Sequence, residues 1–98
     1  MVYEVVWTLK AVDSYARNML YLEKVWTQKE TSYFLTLLQK KLDVISRHPY
    51  IGSPRSKKDP TIRSTILNKR VILIYKVKNR RNQIEILLFW NTWQYPKK

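Results

Sequence analysis

Cysteine is absent from this chain, glycine and histidine each occur once, and acidic residues number only seven in 98. Without cysteine there are no disulfides and no thiolate metal sites, which fits a reducing compartment and sets the expectation of a cytoplasmic protein. One glycine excludes a Gly-rich loop that cradles phosphates. One histidine, His48, excludes zinc ligand sets and Ser/His/Asp triads. Placed where a helical pattern ends, it is expected to interact with unpaired carbonyls. Paired carboxylates are missing from the C-terminal half, where Glu85 stands alone among the apolar runs, so two-acid glycoside chemistry is excluded. No apolar run approaches the roughly 20 residues of a membrane span, and the first residues lack the basic and apolar regions of a signal peptide. No cofactor, metal, membrane or small-molecule substrate is expected.

What is present in excess is positive charge, and it is unevenly placed. The formal charge is +12. Residues 1–46 hold six Lys/Arg against five Asp/Glu, whereas residues 47–98 hold thirteen against only Asp59 and Glu85. A charge confined to one half is the footprint of a polyanion partner, nucleic acid or an acidic protein segment.

The length suits a single domain, residues 1–98, with one core. Val2–Trp7 reads as a short strand added to the sheet. From Leu9 the apolar positions Val12, Tyr15, Ala16, Met19, Leu22 and Trp26 recur at helical spacing, with Thr8 as N-cap. Thr27-Gln28-Lys29-Glu30 fits a capping box, so a second helix follows at once, burying Phe34, Leu37, Leu38, Leu42 and Ile45 and stopped by Pro49. The segment 48–54 is a turn-rich connector in which Gly52 is expected to supply a backbone angle that other residues resist. Then come three apolar runs, Ile62–Leu67, Val71–Val77 and Ile84–Trp90. Connectors this short make them an antiparallel meander, since parallel strands need a long crossover. The fold class is α+β: an N-terminal strand and a two-helix hairpin packed on an antiparallel sheet of three to four strands.

Alternation divides the central run into two faces. Val71, Leu73, Tyr75 and Val77 face the core; Arg70, Ile72, Ile74, Lys76 and Lys78 face outward, ready for a partner. Metal-free RNA cleavage needs a group to take the 2′-OH proton, one to stabilise the phosphorane and one to protonate the leaving oxygen. Lys and Arg can stabilise the charge, and Tyr or a pKa-shifted Lys can move protons. The residues placed for this are Arg63, Arg70 and Tyr75, with Lys57, Lys58, Lys69, Lys76, Lys78, Arg80 and Arg81 as nucleic-acid contacts and Trp93 as an aromatic for base stacking.

The ordered set of strand, helical hairpin, Pro49-Tyr50-Ile51-Gly52-Ser53-Pro54 turn, Arg63, Leu73-Ile74-Tyr75-Lys76-Val77 and a last apolar strand resembles the RelE/ParE toxin superfamily. The resemblance spans essentially the whole chain. The ending Phe89-Trp90-Asn91-Thr92-Trp93-Gln94-Tyr95-Pro96 is similar to a family ending of the type Phe-Phe-Asp-Thr-Arg-Gln-Asn-Pro, with Asn91 for the acid, Trp93 for the arginine and Tyr95 for the asparagine.

The resemblance implies the toxin half of a bacterial type II toxin–antitoxin pair. RelE-type members cut messenger RNA in the ribosome without a metal, ParE-type members poison DNA gyrase, and a cognate antitoxin neutralises either. A metal-independent endoribonuclease activity is weakened by Trp93 standing where the pattern has an arginine. The alternatives are a catalytically inactive member kept as a binding module and a basic nucleic-acid-binding domain with no toxic role.

Overall fold

A computed structural model describes residues 2–68 and 71–91. The chain opens with strand β1 (Glu4–Trp7) and then forms helix α1 (Leu9–Val25). Thr8 caps α1 by accepting from the Ala11 N–H. Thr27 and Glu30 form the reciprocal capping box that starts α2 (Gln28–Arg47). Both caps follow from the sequence: a short oxygen-bearing side chain satisfies donors that the first helical turn leaves orphaned. His48, forced out of helical geometry by Pro49, ends α2. A single 3₁₀ turn, η1 (Pro49–Ile51), leads into the two-residue strand β2 (Ser53–Pro54). Strands β3 (Ile62–Asn68), β4 (Val71–Lys78) and β5 (Gln83–Asn91) follow, with the turn η2 (Asn79–Arg81) between the last two.

The expected antiparallel meander of β3, β4 and β5 is present, but the sheet is larger and mixed. Its order is β1-β5-β4-β3-β2, and β1 runs parallel to β5. The parallel pair is possible because most of the chain lies between its members, far more than a crossover needs. The fifth strand, β2, forms inside what the sequence presents as a connector, with Ser53 opposite Ser64 and Pro54 opposite Arg63. Two register shifts interrupt the ladders, one between Ile66 and Asn68 and one opposite the Ile74–Tyr75 step. Asn82, the one described residue at positive φ, closes the η2 turn and accepts from the Glu4 amide, tying β1 to that hairpin.

Both helices cover one face of the sheet. The core joins Ala11 and Leu22 of α1, Phe34, Leu38 and Ile45 of α2, Val71, Leu73, Tyr75 and Val77 of β4, and Ile84, Ile86 and Phe89 of β5. Trp7 stacks on Phe89 at 5.2 Å between ring centroids, and Tyr15 meets both rings edge-on. The alternation expected for β4 holds along its full length.

The buried face of α1 keeps Tyr15, Met19, Leu22 and Trp26 of the expected stripe but departs from it elsewhere. Val12 is half exposed and Ala16 exposed, while Ser14 and Asn18 are buried. The physical reason lies in β5. β1 stops pairing at Ile86, so the next backbone groups on that side of β5 lose a strand partner. Ser14 Oγ accepts from the Phe89 N–H at 3.0 Å, and Asn18 Nδ2 donates to the Phe89 carbonyl at 3.0 Å. Two polar side chains on a helix thus stand in for the missing strand, and this decides which stripe of α1 faces inward.

Candidate nucleic-acid interface

Tyr75, expected from the sequence both to face the core and to move protons, lies on the core face of β4. It is fully buried, its hydroxyl donates to the Pro49 carbonyl at 2.8 Å and accepts from the Gly52 N–H at 3.0 Å. Burial pushes its phenol pKa above the ordinary value near 10. Its geometry is that of a pin holding the η1–β2 connector to the sheet.

Gly52 is part of the same pin, for a reason other than the one expected. Its φ of −72° is ordinary extended backbone. What requires glycine is space: a Cβ there would lie 2.6 Å from the Tyr75 hydroxyl and 2.8 Å from the Ser64 carbonyl oxygen.

Arg63, the cross-strand partner of Tyr75, completes the arrangement. It donates through Nε to Gly52 O at 2.9 Å, through Nη1 to Pro60 O at 3.1 Å and through Nη2 to Tyr50 O at 3.0 Å. Its guanidinium also sits 5.2 Å from the centroid of the Tyr50 ring. Three of its five N–H donors are therefore spent on the connector, and two remain for an outside acceptor. The contacts of Arg63, expected from the sequence to stabilise a phosphorane, are architectural.

The outward-facing lysines of β4 meet a different set of residues. Lys76 lies 3.5 Å from an oxygen of Asp59, and Lys78 lies 3.0 Å from an oxygen of Glu85. Asp59 is itself braced by the Thr61 amide and hydroxyl. Those hydrogen bonds, aided by the Lys76 ammonium, hold its carboxyl pKa below the ordinary value. Beyond the end of β4, Arg80 and Arg81 are exposed on η2, and no carboxylate pairs with either among the described residues. Asp59, Thr61, Lys76, Lys78, Arg80 and Arg81 line an open groove of about 520 Å³. Lys57 and Lys58 are exposed on the loop that Asp59 tethers to β4, so they belong to the same end of the sheet.

Of the nucleic-acid contacts expected from the sequence, the structure gathers Lys76, Lys78, Arg80 and Arg81 around one groove and sets Lys57 and Lys58 in the adjoining loop. Lys69, Arg70 and Trp93 lie outside the described residues. The sequence reasoning missed Asp59 and Glu85. Their signal was available: they are the only acids in the basic half, and both end up on β4 lysines. Among the described residues no group of three His, Cys, Asp or Glu is placed to hold a metal ion.

Comparison with known proteins reaches the same fold. Neither a protein-family model nor a curated protein sequence matches the chain. A solved structure of the Escherichia coli toxin RelE, a double arginine-to-alanine mutant in the free state, superposes with a TM-score of 0.67 over 97% of this chain and 88% of that one, at 14% identity. The chain has the RelE toxin fold. The Mycobacterium tuberculosis toxin–antitoxin complex RelBE2 gives a TM-score of 0.65 over 93% of this chain and 99% of that one, at 15% identity. On the RelE fold of this chain, the basic groove occupies the η2 end of the sheet, and the Tyr75–Gly52–Arg63 cluster fastens the connector between α2 and β3.

Proposed function

We propose that this chain is the toxin of a bacterial type II toxin–antitoxin pair, neutralised by a cognate antitoxin, and that it arrests growth by engaging messenger RNA on the ribosome. The observation that carries this is the coincidence of a RelE toxin fold over nearly the whole chain with four cations gathered on one groove. The antitoxin partner draws support from the second structural neighbour, which is a toxin–antitoxin complex. Lys76, Lys78, Arg80 and Arg81 would contact phosphates, with Lys57 and Lys58 beside them and the two remaining donors of Arg63 nearby in sequence order on β3. Their attraction for RNA is electrostatic and independent of base identity.

A second target, DNA gyrase, is favoured by one feature. Tyr75 and Arg63 are tied into the fold and the β4 lysines are held by carboxylates, and inhibition by binding asks of the groove only its positive charge.

Inducible expression tests the proposal. The chain alone should stop growth, and co-expression of the product of a neighbouring small acidic reading frame should restore it. Cleaved messenger RNA in a translation extract supports the ribosomal target, and blocked DNA supercoiling supports gyrase. Unimpeded growth with intact RNA binding would leave a catalytically inactive member or a plain nucleic-acid-binding domain.

A further inference from the structure

We propose that Asp59 and Glu85 are built-in competitors for the phosphates that Lys76 and Lys78 attract, so that the groove admits a single-stranded nucleic acid carrying several phosphates and rejects a lone phosphate. This presupposes the nucleic-acid contact proposed above and adds the means by which that contact is made selective.

The placement of the two acids is what points there. Residues 47–98 contain thirteen cations and two carboxylates, and both carboxylates are spent on adjacent outward-facing lysines of one strand. Glu85 lies directly opposite Lys76 in the β4–β5 register, yet its oxygen sits 3.0 Å from Lys78. Lys76 turns the other way, to Asp59 on the β2–β3 loop. These side chains are only about a quarter to two-fifths exposed, so salt screens them less than it would a fully solvated pair. Thr61 keeps Asp59 oriented through its amide and hydroxyl.

A single phosphate arriving at Lys76 or Lys78 replaces one anion by another and gains little. A chain of phosphates first meets Arg80 and Arg81, which no carboxylate occupies among the described residues. Having bound there, its next phosphates reach the lysines at high local concentration and can displace the carboxylates. The groove thus discriminates by the number of linked charges.

Anisotropy of a fluorescein-labelled single-stranded RNA oligonucleotide, measured on the full chain and its variants, tests this. Glu85→Gln should tighten binding about two- to fivefold, the range that partly exposed ion pairs support. Glu23→Gln on α1 changes the net charge equally and should leave affinity unaltered. Lys78→Gln should weaken binding and abolish the gain from Glu85→Gln. Asp59→Asn should tighten binding independently of Glu85. A mononucleotide should compete poorly against wild type and measurably better against the Asp59→Asn, Glu85→Gln double variant. If wild type binds RNA while neither acid variant binds more tightly, or if Glu23→Gln gains as much, competition is wrong and the basic contact stands. If no variant binds RNA at all, the nucleic-acid reading and the competitor role fall together.

Discussion

Tyr75 is the residue on which the connector between the helical and sheet layers depends. Its hydroxyl satisfies a buried amide and donates to a carbonyl, and a buried donor left without a partner costs about 1–3 kcal/mol. Tyr75→Phe should lower unfolding free energy by about that amount in a urea titration. Gly52→Ala should destabilise by about 1–3 kcal/mol through overpacking, although its backbone angles suit alanine. An alanine variant as stable as wild type would show that the connector can give way. Asp59 carries a pH signature. Its folded pKa is depressed, so its contribution is present above the unfolded carboxylate value of about 4 and is lost as pH falls through the lower folded value. Thermal melts below about pH 4 should therefore fall less steeply for Asp59→Asn than for wild type.

At the scale of elements, α1 acts as more than a lid. Ser14 and Asn18 finish the hydrogen bonding of β5 where β1 ends. Ser14→Ala should strand the Phe89 amide at a cost of about 1–3 kcal/mol, whereas Val12→Ala on the exposed side of the same helix should change stability by less than about 0.5 kcal/mol. Equal losses in both, read by urea denaturation, would mean that Ser14 does not serve the Phe89 amide. The capping box of α2 contributes separately, and Thr27→Ala should cost about 1 kcal/mol.

For the whole molecule, the two helices cover one face of the sheet and charge gathers at one end of the other, so adhesion to polyanions should be strong and salt-sensitive. RNA affinity should fall linearly on a log–log plot against salt, with a slope of roughly −0.7 per phosphate contacted. Removing Arg80 and Arg81 together should flatten that slope by one to two contacts. A slope unchanged in that variant would place the contact elsewhere.

Much of the architecture was open to inspection before folding. Thr8, Thr27-x-x-Glu30 and Pro49 mark helix ends because caps act within a few residues. The strict alternation of Val71–Lys78 names its own buried face because a strand repeats every two residues. The charge imbalance between the two halves is visible in the sequence because charge sums without regard to geometry. Long-range pairing was hidden. That β1 would lie parallel to β5, that Ser14 and Asn18 would turn inward to serve Phe89, and that Tyr75 would face a glycine across the connector all depend on groups 23 to 79 residues apart in sequence. The candidate site divides the same way: local composition determined that cations would gather, while tertiary structure decided which of them meet a carboxylate, because ion pairs form by proximity in space.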